Sequence, residues 1–232
     1  MDAGTTLIVV AVVAVAAVGF IAVSGLGLVL VGASEAQATR RRERQVVRRW
    51  TRVAPAEELL DLFSGGPFGV GHHVEVTNGY RGEHHGRTFV AFDLALEVDP
   101  TEGGSGPTGR QSYTVVALAL GRATAPVSVL RTESPVPHFE EAGGAEVVVR
   151  RAAFPRLYRV RSPDPDLAEA LLHPASVDNM LGQPAVAWRL ADGWLLAVSS
   201  LRHRPLQVQH QVEVLGVILD GVPPGDWDRF VR

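Results

Sequence analysis

The feature that most constrains this chain is a long stretch without charge. No charged residue lies between Asp2 and Glu35, and nearly every side chain from Leu7 to Val31 is apolar. As a helix this run would extend roughly 37 Å, which exceeds the roughly 30 Å hydrocarbon core of a bilayer. The sequence therefore predicts a single-pass transmembrane helix over residues 7–31.

A cleaved signal peptide is the alternative for this segment. Ala36-Gln37-Ala38 has the small-x-small pattern of a cleavage site. Against cleavage, the residues before the run carry an acid, Asp2, and no base, and the run is about twice the usual length of a signal peptide's apolar region. We favour the uncleaved anchor.

Arginines that follow the span predict its orientation, because positive flanking residues stay on the cytoplasmic side. These are Arg40, Arg41, Arg42, Arg44, Arg48, Arg49 and Arg52. The predicted organisation is a short non-cytoplasmic tail (residues 1–6), the span (7–31), an arginine-rich juxtamembrane segment (32–53) and a cytoplasmic domain (54–232). The protein is thus placed at the cell membrane, with an extracytoplasmic domain as the alternative orientation.

The juxtamembrane segment has the pattern of an amphipathic helix from Arg40 to Val53. Val46, Val47, Trp50 and Val53 fall on one side, and arginines cover much of the rest. Such a basic cluster can hold anionic lipid head groups, or it can serve only as the topology signal and a solvated connector. Both interpretations stay open.

Composition excludes several kinds of chemistry. The chain has no cysteine and all 22 of its basic residues are arginine, so thiol nucleophiles, cysteine metal sites and Schiff-base lysines are ruled out. The first 52 residues hold seven arginines and three acids, which leaves 15 basic and 22 acidic residues, a net charge of −7, in the remainder. That sign argues against nucleic-acid binding.

The soluble part reads as an α+β domain with a mainly antiparallel sheet and helices in its C-terminal half. Alternating runs predict a first hairpin centred near Arg81, with a half-buried second strand from Thr88 to Val98, and a central strand from Ser112 to Leu120. Three further strands are predicted at Val127–Arg131, Ala145–Arg150 and Leu157–Arg161. A rolled, pleckstrin-homology-like sheet closed by the last helix is the alternative.

Local signals in the C-terminal half are sharper. Asp164 is expected to cap a helix that starts with Pro165, and Asp192-Gly193 between apolar runs predicts a tight hairpin. The spacing of apolar residues from Leu206 to Leu219 predicts a final helix that ends at Gly221.

Histidine is the side chain that most suggests metal or acid–base chemistry. His72-His73 and His84-His85, with Glu75 and Glu83, are acceptable zinc or nickel ligands. The two pairs are expected at different ends of the first hairpin, and neighbouring strand residues point to opposite faces. We therefore predict no metal site and no cofactor.

Catalytic motifs are likewise absent from the sequence, which lacks G-x-S-x-G and the phosphate-binding G-K-[ST]. A group of arginines is the remaining candidate, as an anion or partner patch: Arg150, Arg156, Arg159 and Arg161, with Arg151 beside them. The favoured interpretation is a solvent-facing surface that pairs with Asp164, Asp166 and Glu169.

The stretch Phe154-Pro155-Arg156-Leu157-Tyr158-Arg159-Val160, followed by Asp164, Ala168, Leu171-Leu172 and Pro174, carries a family resemblance. It resembles uncharacterised, membrane-anchored proteins of high-GC actinobacteria, a family of unknown function that has one N-terminal span and an arginine-rich junction. Pro155 departs from the polar residue expected there. The resemblance implies a setting and no catalytic residues.

Two functions are consistent with these observations. The first is a membrane-anchored cytoplasmic domain that binds or scaffolds an unidentified protein partner, without catalysis. The second is a membrane-tethered hydrolase, whose site would gather residues from a set of histidines and one acid: His72, His84, His138, His173, Asp178 and His203.

Overall fold

The structure is a computed structural model. It describes residues 37–68, 72–98, 109–133, 139, 141–151, 153–182, 187–200 and 204–231. Two compact units are separated between Gln45 and Val46. The predicted span lies outside the described residues, and no helix within these ranges is long and apolar enough to cross a membrane.

In the first unit, residues 37–45 are helical and belong to helix α1, which covers residues 37–47. In the second unit, nine strands of the described chain form one sheet: β1 (Thr51–Arg52), β2 (His72–His84), β3 (Arg87–Val98), β4 (Gly109–Ala119), β5 (Val127–Arg131), β6 (Ala145–Glu146), β7 (Tyr158–Ser162), β8 (Ala187–Ala191) and β9 (Trp194–Ser199). The strand order is β1-β2-β3-β4-β9-β8-β5-β7-β6, and every pair is antiparallel. The predicted α+β class is confirmed, with an open sheet in place of the rolled alternative.

Most of the helices lie in the C-terminal half of the chain. They are α2 (Phe154–Leu157), α3 (Pro165–Leu171), α4 (Pro174–Gly182) and α5 (Pro205–Asp220), with 3-10 helices at Ala56–Leu62 and Pro224–Arg229. The Asp164 side chain accepts a hydrogen bond from the Leu167 N–H at 3.1 Å, as its predicted role as N-cap requires. The final helix is also confirmed.

Each face of the sheet buries an apolar layer. Phe89 and Val116 lie on the face covered by α3, α4 and α5, whereas Phe92 and Val115 lie on the face covered by the first 3-10 helix. Strand β4 is buried on both faces, as predicted. The half-buried prediction for β3 holds only for the second half of the strand: on the face predicted to be polar, Phe89 and Ala91 are buried under the C-terminal helices, whereas Asp93, Ala95 and Glu97 are half-buried.

The first hairpin turns four residues later than predicted. His84 pairs with Arg87, and the two turn residues, His85 and Gly86, have φ values of 48° and 76°. Strand β2 is irregular at two places, between His72 and Glu75 and between Thr77 and Tyr80. These irregularities interrupt the alternation of its side chains between the two faces of the sheet.

The second hairpin forms as predicted, with Asp192 and Gly193 at φ values of 54° and 78°. Two strand predictions need correction. The strand predicted over Ala145–Arg150 is limited to Ala145–Glu146, and the one predicted from Leu157 begins at Tyr158, because Phe154–Leu157 forms a helical turn.

Candidate functional site

The arginine-rich segment leaves its helix earlier than predicted. Helix α1 ends at residue 47, not at Val53, and the chain then enters β1. The Trp50 ring packs edge-on against Tyr80 and Phe89, with centroid distances of 5.7 and 5.5 Å. The segment therefore stops being helical where its tryptophan can pack against β2 and β3. Its four predicted apolar residues are each half-buried: Val46, Val47, Trp50 and Val53.

All seven arginines of the segment are exposed. None of them forms an ion pair with an acidic side chain in the described ranges. Because these guanidinium groups are not neutralised locally, they can bind an external anion without breaking an existing salt bridge.

The second arginine group is partly neutralised. Arg159 and Arg161 both pair with Glu141, and Arg161 Nη2 also donates to the Gly144 carbonyl at 3.0 Å. Arg151 pairs with Asp178 at 2.9 Å. The expected ion-pair partners, Asp164, Asp166 and Glu169, are not the ones used in the described structure.

Arg150 and Arg156, the other two members of the predicted patch, are exposed. The register places Arg159 and Arg161 on one face of β7, opposite Leu130 and Ser128 of β5. A shared anion site for the four arginines stays a prediction.

The histidine pairs lie at opposite ends of β2, as the sequence predicts, although the hairpin is centred elsewhere. His72 and His73 approach Glu97, at 4.0 and 3.5 Å. His84 stacks on His85 with 4.1 Å between ring centroids, and His85 Nδ1 lies 3.4 Å from Asp220 Oδ2. No group of three histidine or acidic side chains within the described residues is arranged to hold a metal ion.

Burial and the neighbouring His85 lower the pKa of His84. The cause of its burial is the close approach of helix α5, since a Cβ on Gly216 would lie 2.7 Å from His84 Nε2. Burial alone would raise the pKa of Asp220, but hydrogen bonds from Arg87 and His85 outweigh it and lower the pKa. At this end of the hairpin, positively and negatively charged groups therefore surround the His84 imidazole.

The residues that a hydrolase would gather are not brought together among those described. His173 Nε2 lies 2.6 Å from Ser176 Oγ, but Ser176 is fully buried and inaccessible to a substrate. Asp178 is engaged by Arg151. His138 and His203 lie outside the described residues.

A polar hollow of about 370 Å³ lies over β2, β3 and β4. Asp93 accepts hydrogen bonds from Asn78 Nδ2 at 2.8 Å and from Thr114 Oγ1 at 2.9 Å. Arg110 and Glu75 form an ion pair at its rim. The volume is within the range of small-ligand pockets.

Sequence reasoning missed this hollow. The register aligns Thr77, Asp93, Thr114 and Ser199 across four strands on the face that the helices cover elsewhere. The signal in the sequence was the polar Asp93 and Thr114 within otherwise apolar strands, but only the strand register shows that the two meet.

Comparison with known proteins gives one distant structural neighbour. No protein-family model matches the chain, and no curated protein matches it. The crystal structure of the mycobacterial trehalose monomycolate transport factor A, TtfA, superposes with a TM-score of 0.49 and 17% sequence identity, over 79% of this chain and 96% of that chain. This likeness carries no conclusion about function, and the resemblance to actinobacterial membrane-anchored proteins stays a prediction.

Proposed function

We propose that the chain is a single-pass, membrane-anchored binding or scaffolding module whose α+β domain works on the cytoplasmic side. The observation that carries the proposal is the set of seven exposed arginines, none of them ion-paired to a described acid, directly after a stretch without charge. A span followed by such a cluster is the sequence pattern of an anchor with its C-terminal side inside the cell.

In this proposal the arginines do two things. They fix the orientation of the anchor, and they bind the anionic head groups of the inner leaflet, each adding about 1 kcal/mol near a charged surface. An acidic domain of net charge −7 is repelled by that leaflet, so a local basic segment is what makes close contact favourable.

Hydrogen exchange of the full chain in nanodiscs tests the lipid contact. We expect the amides of residues 37–47 to exchange more slowly in discs of phosphatidylcholine with phosphatidylglycerol than in phosphatidylcholine alone. Replacing Arg40, Arg41, Arg42 and Arg44 with glutamine removes this difference.

The control replaces Arg204, an exposed arginine just before α5, with glutamine, and it keeps the difference. Equal exchange of residues 37–47 in the two kinds of disc contradicts the proposal.

A further inference from the structure

We propose that the β1 edge of the sheet is the surface of the domain that faces the membrane, and that Arg48, Arg49, Arg52 and Arg81 hold it against anionic lipid phosphates. This inference rests on the proposed function and adds to it a defined face of the domain. It also adds Arg81, a residue that lies outside the arginine-rich segment.

The first step is that the end of this segment is folded into the domain. Thr51 pairs with Arg81 and Arg52 pairs with Tyr80, and the Val53 N–H donates to the Gly79 carbonyl at 2.9 Å. Trp50 adds its edge-on contacts with the aromatic rings of β2 and β3. The segment from Trp50 to Val53 is therefore attached to the sheet, and the neighbouring arginines lie along this edge.

Two glycines of β2 make this attachment close. A Cβ on Gly79 would lie 2.9 Å from Ala56 Cβ and 3.2 Å from the Val53 carbonyl oxygen. A Cβ on Gly82 would lie 2.4 Å from a ring carbon of Phe89 and 3.1 Å from Trp50 Cδ1. A side chain at either position would separate the segment from β2.

The attachment collects positive charge at one edge. Arg48, Arg49 and Arg52 come from the segment. Arg81 pairs with Thr51 in the β1–β2 register, so it lies on the opposite face of the same edge from Arg52. All four are exposed, and none is ion-paired to an acid in the part of the chain that the structure describes. Glu83 and Arg49 line the same small cavity, and this one acid leaves the four arginines with a net positive charge.

The occupant that this edge fits is a set of phosphate groups. Guanidinium groups bind phosphate oxygens in a bidentate fashion, and several of them on one edge match the repeated phosphates of an anionic leaflet. The leaflet is the favoured source, because only 18 residues of chain separate Val31, at the end of the predicted span, from Trp50.

Site-specific quenching tests the inference, and the absence of native cysteine makes the labelling simple. Single-cysteine variants Thr51→Cys and Glu146→Cys place a fluorophore on exposed positions of β1 and β6, at opposite edges of the sheet. The full chain is reconstituted into nanodiscs that contain phosphatidylglycerol and a lipid with a nitroxide on its head group.

We expect strong quenching of the label at residue 51 and little at residue 146. Adding Arg52→Gln and Arg81→Gln to the Thr51→Cys variant should abolish most of the quenching, whereas adding Arg204→Gln, at an exposed arginine outside both arginine groups, should not. Equal quenching at the two edges, stronger quenching at residue 146, or quenching insensitive to the two substitutions overturns the inference.

The two proposals fail separately. If residues 37–47 exchange more slowly in anionic discs but the label at residue 51 is not quenched, the orientation of the domain is wrong and the lipid-binding segment stands. If residues 37–47 exchange equally in the two kinds of disc and the label at residue 51 is not quenched, both proposals are wrong.

Discussion

The Trp50 indole meets the Phe89 ring edge-on, with 5.5 Å between ring centroids and 79° between ring planes. Trp50 belongs to the arginine-rich segment, and Phe89 is a buried residue of β3. Such aromatic pairs contribute about 0.5–1.5 kcal/mol beyond the area they bury. This contact makes the junction a part of the domain, and the proposed orientation of the β1 edge depends on it.

Gly82→Ala tests this junction. The new methyl group would lie 2.4 Å from a ring carbon of the buried Phe89, so the ring has to shift, and we expect a loss of about 1–3 kcal/mol in the free energy of unfolding. Urea unfolding followed by tryptophan fluorescence measures it. Gly143→Ala, where a Cβ meets nothing within 4 Å, is the matched control. Equal midpoints for the two variants would show that the packing around Gly82 is looser than described.

Acid is predicted to destabilise the domain through His84. Because burial lowers the pKa of His84 in the folded protein, the unfolded chain binds its proton more readily. The contribution of neutral His84 is fully present above the unfolded pKa of about 6.5 and is lost as the pH falls through the folded pKa.

Urea midpoints measured between pH 7.5 and 5 should therefore fall less steeply in His84→Gln than in the unmodified chain. The charged groups around this imidazole are His85, Arg87, Glu213 and Asp220, and all are kept in the variant. An unchanged pH dependence would assign the effect to one of those neighbours.

Tyr113 should titrate late. Burial raises the pKa of Tyr113 from 10.0 to about 12, so the neutral phenol is favoured in the folded state. Its contribution to stability is present below pH 10 and is lost as the pH rises toward 12. The absorbance of tyrosinate, followed to high pH, should show a late-titrating component that is smaller in Tyr113→Phe. A late component that persists in this variant would have to come from Tyr158, whose pKa burial also raises.

The polar hollow is predicted to depend on Asp93. Asp93→Ala removes the acceptor for the Asn78 amide and the Thr114 hydroxyl, and Thr114 is 4% exposed. Loss of these two hydrogen bonds to a carboxylate is expected to cost about 1–3 kcal/mol, which a shift of the urea midpoint detects. Asp166→Ala, at an exposed position of α3, controls for the loss of one carboxylate. Similar shifts in both variants would mean that the Asp93 hydrogen bonds contribute little.

The sequence correctly predicted the turns and helix ends that depend only on residues close together in the chain. Asp192-Gly193 forms its turn because both residues adopt positive φ values, and Asp164 caps its helix through a bond to the backbone three residues on. The centre of the first hairpin was missed, because irregularities in β2 shift its alternation and the true turn residue, His85, is not a usual turn former.

The parts of the site that need tertiary contacts were not predictable. The run of arginines can be recognised in the sequence. That Arg81 lies at the same edge follows only from the pairing of β1 with β2. The pairing of Arg159 and Arg161 with Glu141 likewise joins groups that are 18 and 20 residues apart in the sequence. The sequence predicts whether such a surface is positively or negatively charged. The strand register is needed to show which residues belong to it.

Protease accessibility in sealed membranes tests the central claim most directly. Trypsin cleaves at arginine, the only basic residue type besides histidine in this chain. The account predicts that residues 54–232 are digested in inside-out vesicles and protected in right-side-out vesicles. Protection of the domain in inside-out vesicles, with digestion in right-side-out ones, would contradict it.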